Sequence, residues 1–251
     1  MKKGIFLDLL EKQNEISDIA RQEISQDLKL HPNFAQYYFD QAKRAGNSKE
    51  FSLKSVDFTA NILTDKTALF LGSNLTYGLS SLGESFVDYL WQKDGLIGIK
   101  DVENNTFLTH QDSFQKGDSY ISRFQKDLKF YDPEVLVIEI SNKDLDENIA
   151  LGDISDKHYD TQTIIGALEY LISQTELLWR CPIIVYLNYK NNAKKHAQLA
   201  EKVLQLEQKK RISVIDFSSD KAISSQPTRR EFRDIWLPQF ENELKEVLKN
   251  G

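Results

Sequence analysis

Five apolar runs separated by helical patterns constrain the fold of this chain more than any other feature. Four are continuous stretches rich in Val, Ile and Leu and one is weaker, which is typical of strands buried on both faces of a parallel sheet. The runs occupy residues 67–72, 96–100, 134–141, 182–188 and 211–218. Helical patterns occupy residues 81–93, 118–130, 161–180, 192–210 and 238–250. This alternation predicts an α/β domain of three layers with a central parallel sheet of about five strands.

The first 60 residues differ from the rest because they contain no convincing strand pattern. Apolar residues recur at helical spacing through residues 6–30, which predicts an amphipathic helix there. A second helix is expected to begin near Pro32 and to end at Gly46. We therefore divide the chain into a helical N-terminal extension, residues 1–60, and an α/β domain, residues 61–251. The extension is a candidate surface for docking onto a partner protein.

Charge and cysteine content exclude several classes of function. The formal net charge of −6 argues against nucleic-acid binding. The single cysteine, Cys181, excludes an internal disulfide and a cysteine metal cage, and no ligand-type side chains have zinc spacing, so we predict no metal and no cofactor. Asp8 and Glu11 interrupt the first apolar patch, and no run approaches ~18 apolar residues. We expect a cytoplasmic protein without a membrane-spanning segment.

The first apolar run ends in a turn, "FLGSNLTYG", that suggests a former catalytic site. An apolar strand there delivers polar residues onto a turn flanked by Gly72 and Gly78. Several hydrolase folds present a nucleophile on such a strand-to-helix turn. In parallel sheets, ligands bind beyond the carboxyl ends of the strands, so loops that follow strands are the places to search. The polar residue in the nucleophile's place is Asn74.

Together with two further strand-end blocks, this turn resembles the SGNH (GDSL-type) hydrolase superfamily. The blocks are "FLGSNLTYG", "EISNKDL" and "FRDIWLP", and "LGDIS" followed by "YDTQTIIGALEYLI" is similar to a bacterial subgroup. The resemblance covers roughly residues 65–245. It implies a flavodoxin-like fold shared with esterases, lipases and carbohydrate deacetylases. Acylated saccharides are then the ancestral substrates that the resemblance suggests.

The resemblance also implies a catalytic set: a serine nucleophile, a histidine base with an aspartate three residues earlier, and oxyanion donors from a glycine and an asparagine. In this chain Asn74 stands at the nucleophile position and Asn105 at the glycine position. The gapless match puts Lys143 at the oxyanion asparagine and retains Asp144, whereas a slip of one residue would place Asn142 there. The serine is therefore replaced, and the oxyanion positions are altered.

The last block retains Asp234, but the histidine position is occupied by Leu237. An amide nitrogen is delocalised into its carbonyl, so Asn74 cannot be activated as a hydroxyl can. Losing the nucleophile alone costs on the order of 10⁴ to 10⁶ in rate, or roughly 5 to 8 kcal/mol. These replacements predict a pseudoenzyme that binds a partner protein or a small carbohydrate or acyl-type ligand.

The predicted ligand site combines residues of all the strand-end blocks. Lys143 either recognises an anionic or hydroxylated group or neutralises a leftover carboxylate as an ion pair. Phe34, Tyr37 and Tyr38 are interpreted as a core between helices of the extension. The expected ligand-binding residues are Ser73, Asn74, Asn105, Asn142, Lys143, Asp144, Asp234 and Trp236.

An active enzyme is the alternative hypothesis. It would be an ester hydrolase or acyltransferase that uses Ser73 or Thr76 with a loop histidine, either His110 or His158. Residues 117–119 spell Gly-Asp-Ser, but no strand precedes them, so Ser119 is interpreted as a helix cap. The two other histidines, His31 and His196, are expected in the extension and on a charged helix.

Overall fold

The computed structural model describes residues 3–111, 119–155, 157–189 and 191–250. Within these residues the strands form one parallel sheet in the order β2-β1-β3-β4-β5, which confirms the predicted fold class. The strands are β1 Thr67–Gly72, β2 Ile97–Val102, β3 Val135–Glu139, β4 Ile183–Leu187 and β5 Ile212–Asp216.

Helices begin at side-chain caps in most of the connections between these strands. Ser85 and Asp88 form a capping box at α5, and Thr163 and Asn192 cap α8 and α9 through their side-chain oxygens. The helices are α1 Lys3–Asn14, α2 Asp18–Leu30, α3 Phe34–Ala42, α4 Asn74–Tyr77, α5 Phe86–Asp94, α6 Tyr120–Asp127, α7 Asn142–Asp146, α8 Ile164–Leu178, α9 Ala193–Lys209, α10 Arg229–Glu231 and α11 Leu237–Asn250.

The sheet is buried on both faces because successive side chains of each strand point to opposite sides. In β1, Leu69 and Leu71 join the cluster formed with α6, α8 and α9, whereas Ala68 and Phe70 join the cluster formed with α5 and α11. All four side chains are fully buried. The sheet and the helices packed on its two faces therefore form the predicted three layers. Among the described residues, every helix is too short or too polar to cross a bilayer.

The extension differs from the prediction in how its helices are divided. Residues 6–30 form two helices instead of one, because Glu15 adopts a left-handed conformation with φ of 52° and Ser17 then caps α2. The next helix, α3, ends before Gly46. Short 3₁₀ turns follow at Ala45–Asn47, Lys49–Phe51 and Leu53–Ser55.

The helices of the extension pack onto the turn that follows β1. Ile24 and Tyr38 are fully buried in a third cluster that also contains Tyr77 and Leu82. The Tyr38 hydroxyl donates to the Asp27 carboxylate across 2.6 Å. Because this cluster includes residues of both segments, α1 to α3 cover the turn from one side.

A buried polar network joins the extension to the C-terminal helices. The side chains of Arg229 and Glu84 are fully buried and form an ion pair of 2.9 Å. The Arg229 guanidinium also donates to the carbonyl of Asn14, at the end of α1. Asn47 accepts the backbone N–H of Arg229 and donates to the carbonyl of Ser80. The position of the extension is thus set by polar contacts as well as by apolar packing.

Candidate functional site

A groove of about 350 Å³ lies at the carboxyl ends of the strands, and we call it the strand-end groove. The connection from β1 leads to β2 on one side and that from β3 leads to β4 on the other, so the groove lies at the switch point where parallel α/β sheets bind ligands. Ser73 to Leu75 line it after β1, and Ser141 to Lys143 line it after β3. Its position, not its size, makes it the candidate site.

The remaining walls of the groove come from distant parts of the chain. Asn191 follows β4, Ser225 and Gln226 follow β5, and Phe34 and Tyr37 belong to α3. The two aromatic residues pack against the predicted apolar core between the helices, in which their neighbour Tyr38 is fully buried, and they also line the groove. The N-terminal extension therefore supplies one wall of the candidate site.

The turn after β1 uses its side chains to hold the loop that follows β2. The Asn74 carboxamide is exposed in the groove, and its Oδ1 accepts the backbone N–H of Asn105 across 2.8 Å. The Ser73 hydroxyl donates to the carbonyl of Glu103 at 3.0 Å and accepts the N–H of Thr106 at 3.2 Å. The Ser73 hydroxyl is thus engaged both as a donor and as an acceptor.

Glu139, at the end of β3, places a buried carboxylate directly under this turn. Its Oε2 accepts the backbone N–H groups of Ser73 and Thr76, at 2.9 and 3.0 Å. It also accepts the Thr76 hydroxyl at 2.6 Å and the Tyr186 hydroxyl at 3.1 Å. Gly72 permits this approach, since a Cβ there would lie 2.8 Å from Oε2. Burial, reinforced by the Glu139 charge, raises the pKa of Tyr186 well above its ordinary value.

This carboxylate was missed by the sequence analysis, although one signal for it existed. Glu139 is the only charged residue within the otherwise apolar strand β3, and its side chain is 1% exposed. A charge that is buried in such a strand needs several hydrogen-bond donors around it. Negative charge at this place opposes an oxyanion at the neighbouring turn, whereas esterases need donors there.

The turn after β3 contributes Asn142 and Lys143 to the groove. The Asn142 amide donates to the carbonyl of Asn188 at 3.2 Å, while its Oδ1 is buried without a hydrogen-bond partner among the described residues. The Lys143 ammonium donates to the carbonyl of Asn105 at 2.8 Å and lies 4.2 Å from the centre of the Phe107 ring. Lys143 therefore braces the loop after β2.

Solved structures show the same architecture. A GDSL-like lipase from Bacteroides ovatus matches with a TM-score of 0.56 and 14% identity, over 72% of this chain and 98% of its own. A carbohydrate acetylesterase family member from Sinorhizobium meliloti matches with a TM-score of 0.54 and 14% identity, over 73% of this chain and 99% of its own. The chain has the SGNH-hydrolase fold.

A third structure with the SGNH fold is that of a carbohydrate esterase whose active site displays divergent catalytic and non-catalytic binding functions. It matches with a TM-score of 0.52 and 14% identity, over 73% of this chain and 69% of its own. No protein-family model and no curated protein sequence matches the chain. The likeness to these structures establishes the fold, and the chemistry of the site has to be argued from its own residues.

Asp144, the residue retained in the block "EISNKDL", does not line the groove. Its buried carboxylate accepts the backbone N–H groups of Leu108 and Thr109, at 2.7 and 3.1 Å, and the Thr109 hydroxyl at 2.6 Å. Burial raises the pKa of Asp144, and these hydrogen bonds oppose the shift. Its charge is stabilised by these donors, so the ion pair with Lys143 that the sequence suggested does not form.

The last SGNH block also lies away from the groove. Residues 229–250 form one continuous helical run, with a π-helical turn at Phe232–Trp236 between α10 and α11. Asp234 is exposed and pairs with Arg233 at 2.7 Å. Trp236 is fully buried and stacks on Phe217, with ring centres 3.8 Å apart.

Leu237 continues this run into the core, where its side chain is 3% exposed. The structure therefore brings Ser73, Asn74, Asn142 and Lys143 together in the groove and leaves Asp144, Asp234 and Trp236 outside it. Asn105 lies beside the groove and is bonded to both Asn74 and Lys143. Asp234 and Trp236 lie outside the groove because they belong to the continuous helical run.

No histidine of the described chain lines the strand-end groove. His110 Nδ1 is 2.9 Å from Ser119 Oγ, but Ser119 is fully buried and caps α6, as predicted. His196 pairs with Asp216, and His158 is exposed. Gly117 and Asp118 lie outside the described residues. In the part of the chain that is described, no three His, Cys, Asp or Glu side chains converge as a metal site requires.

Proposed function

We propose that the chain is a non-hydrolysing protein that binds a saccharide in the strand-end groove of an SGNH fold. One observation carries this proposal: the groove presents the Asn74 carboxamide above the buried Glu139 carboxylate, with no histidine in its described lining. An esterase needs a nucleophile, a base and oxyanion donors at this place.

The chemistry of the groove disfavours hydrolysis at each of these three points. Asn74 is not a usable nucleophile, and the hydroxyls of Ser73 and Thr76 are committed to the loop after β2 and to Glu139. No imidazole among the described lining residues can take a proton. Negative charge that develops near the turn would be repelled by Glu139 across a short distance. These facts support binding over catalysis.

The same lining suits a sugar. Amide and hydroxyl side chains, which both donate and accept hydrogen bonds, face the groove from four strand ends, and Phe34 and Tyr37 add apolar ring surface. A volume of about 350 Å³ is at the lower end for small-ligand sites, which suits a short saccharide segment. The carbohydrate esterase neighbour with non-catalytic binding functions gives a precedent on the same fold.

Docking of a partner protein through the N-terminal helices remains a second prediction, as does the cytoplasmic location. The structure gives these helices a use that needs no partner, since α3 forms a wall of the groove. We therefore place the saccharide first.

Two measurements test the proposal. Initial rates with p-nitrophenyl acetate are expected to equal the rates of the Asn74→Ala variant, because the described lining of the groove contains no activated nucleophile and no histidine base. Calorimetric titration with cellotriose, xylotriose and the trimers of glucosamine and N-acetylglucosamine is expected to show binding of at least one. Wild-type turnover that disappears in Asn74→Ala, or binding of none of the four sugars, would contradict the proposal.

A matched pair of aromatic variants locates the binding site. Tyr37→Ala removes ring surface from the groove and is expected to weaken sugar binding by about tenfold, or ~1.4 kcal/mol. Tyr131→Ala removes a partly exposed tyrosine that does not line the groove, so its binding should equal that of the wild type. Equal losses in both variants would place the sugar elsewhere.

A further inference from the structure

We infer that the groove selects an amino sugar, whose protonated amine binds the acceptors of the groove between Glu139, Asn142 and Asp146. This inference rests on the proposed function and names the class of saccharide. It follows from an excess of acceptors over free donors at one end of the groove.

Two carboxylates line this end, and neither is paired with a cation among the described residues. Glu139 Oε2 accepts only uncharged donors, namely two backbone N–H groups and two hydroxyls. Asp146 is exposed, and its Oδ1 accepts the Asn191 amide at 3.0 Å. Within the described chain, neither carboxylate is therefore engaged by a cationic group, and of the two only Asp146 is exposed.

A third acceptor lies between these carboxylates in sequence and in the same lining. Asn142 Oδ1 is buried and unpartnered within the described chain, while the amide nitrogen of the same group donates to Asn188. If the Asn142 carboxamide were flipped, its oxygen would face the carbonyl oxygen of Asn188. This repulsion fixes which atom is the oxygen and which is the nitrogen. A buried acceptor without a donor is unfavourable, so a ligand that brings a donor here is favoured.

Two cations of the described chain near this end are already engaged. Lys143 Nζ donates to the carbonyl of Asn105 and lies over the Phe107 ring. Arg44, from the loop after α3, donates to the side chain of Gln41 at 2.8 Å and to the carbonyl of Gln226 at 2.9 Å. Neither of these cations pairs with Glu139 or Asp146. A positively charged ligand group is therefore favoured at this end of the groove.

The aromatic wall adds to this preference. Phe34 and Tyr37 line the same groove, and the face of an aromatic ring attracts cations. An ammonium group has three N–H donors and no acceptor, so it matches carboxylates and amide oxygens. An N-acetyl group has one N–H and adds an acceptor, and a uronic acid adds a negative charge, so both fit less well.

Calorimetric titrations with glucosamine trimer, N-acetylglucosamine trimer and cellotriose test the inference at about pH 6, below the pKa of an ordinary amine. The glucosamine trimer is expected to bind at least about tenfold more tightly than the other two. Its affinity should also fall as salt is raised, because the contact is ionic. Equal affinities for glucosamine trimer and cellotriose would overturn the amine selection and leave the proposed function standing. Binding of no sugar would overturn both.

A conservative variant separates the amine contact from general sugar binding. Asp146→Asn keeps the shape of the side chain and is expected to weaken the glucosamine trimer by about tenfold while cellotriose is unaffected. Asp153→Asn is the matched control, because Asp153 is an exposed aspartate that pairs with Lys202 and does not line the groove. If the two variants bind the glucosamine trimer equally well, the inference is wrong.

Discussion

The Glu139 carboxylate accepts the backbone N–H of Ser73 across 2.9 Å, directly beneath the turn that carries Asn74. A carboxylate bonded to this turn stabilises the strand-to-helix geometry by supplying acceptors for its N–H groups. It also puts negative charge beneath this turn, the position where an esterase has hydrogen-bond donors that stabilise an oxyanion. The contact therefore preserves the architecture of the turn and works against ester hydrolysis there.

Restoring the two replaced residues is not expected to restore hydrolysis. In the variant Asn74→Ser with Leu237→His, the new histidine would lie within the continuous helical run and face the core, where Leu237 is 3% exposed. Glu139 would still oppose the oxyanion. We expect rates with p-nitrophenyl acetate to match those of Asn74→Ala with Leu237→His, and a clearly higher rate for the serine variant would show that the catalytic geometry persists.

Removing the Glu139 acceptor should destabilise the fold. Glu139→Ala leaves two backbone N–H groups without their acceptor and leaves the hydroxyls of Thr76 and Tyr186 only each other, at a cost of about 3 kcal/mol in the free energy of unfolding. Glu139→Gln keeps one acceptor oxygen and should cost less. Urea unfolding followed by circular dichroism measures both. The expectation fails if the alanine variant is as stable as the glutamine variant.

Glu23 should make stability fall as the pH rises. Burial raises the pKa of Glu23 to about 7, against the opposing charge of Lys100, whose Nζ lies 3.3 Å from Glu23 and 3.0 Å from Asp88. The unfolded chain loses this proton near pH 4.5, whereas the folded chain holds it until about pH 7. The stabilisation is therefore full below pH 4.5 and is lost between pH 4.5 and 7.

The variant Glu23→Gln carries no proton to lose and should not show this decline. We expect the difference in urea midpoint between wild type and Glu23→Gln to shift in favour of the variant as pH rises from about 5 to about 7. Glu246→Gln, on the exposed face of α11, serves as the control and should follow the wild type. A pH-independent difference between wild type and Glu23→Gln would contradict the prediction.

The buried ion pair of Arg229 and Glu84 gives a fourth prediction. Arg229→Met leaves the Glu84 carboxylate fully buried without its cation and should cost about 3–5 kcal/mol. Adding Glu84→Gln removes the uncompensated charge and keeps an acceptor for the Ser17 N–H, so the double variant should recover part of this loss. Urea unfolding of the wild type, Arg229→Met and the double variant gives the three free energies of unfolding to be compared. A double variant less stable than Arg229→Met would refute the argument.

The fold could be predicted from the sequence because its five strands are nearly continuous apolar runs with helical patterns between them. Each run became a strand, and even the weak one at residues 96–100 overlaps β2 at residues 97–100. The turn at Asn74 could be predicted as well, since glycines flank it and a strand leads into it. Both are local patterns that a reader of the chain can recognise.

Half of the groove could not be predicted in this way, because it depends on contacts between remote segments. Phe34 and Tyr37 have the pattern of helix-core residues. Only the packing of α3 beside the turn after β1 places them at the groove. The block "FRDIWLP" gives no sign that its helix is continuous, so Asp234 and Trp236 were placed in a site that they do not reach. Glu139 had a visible signal, but its four donors come from two separate segments, the turn after β1 and strand β4.

The network around Arg229 also has a consequence for the order of events during translation. Arg229 bonds to Asn14 and to Asn47, which precede it by 215 and 182 positions. Contacts at such separations are made late, because the long intervening chain must first be closed. A nascent chain lacking its last 25 or so residues would have its strands and the apolar packing of α1 to α3, but not the polar contacts of Arg229. This polar part of the anchor behind the aromatic wall can therefore form only when synthesis is nearly complete.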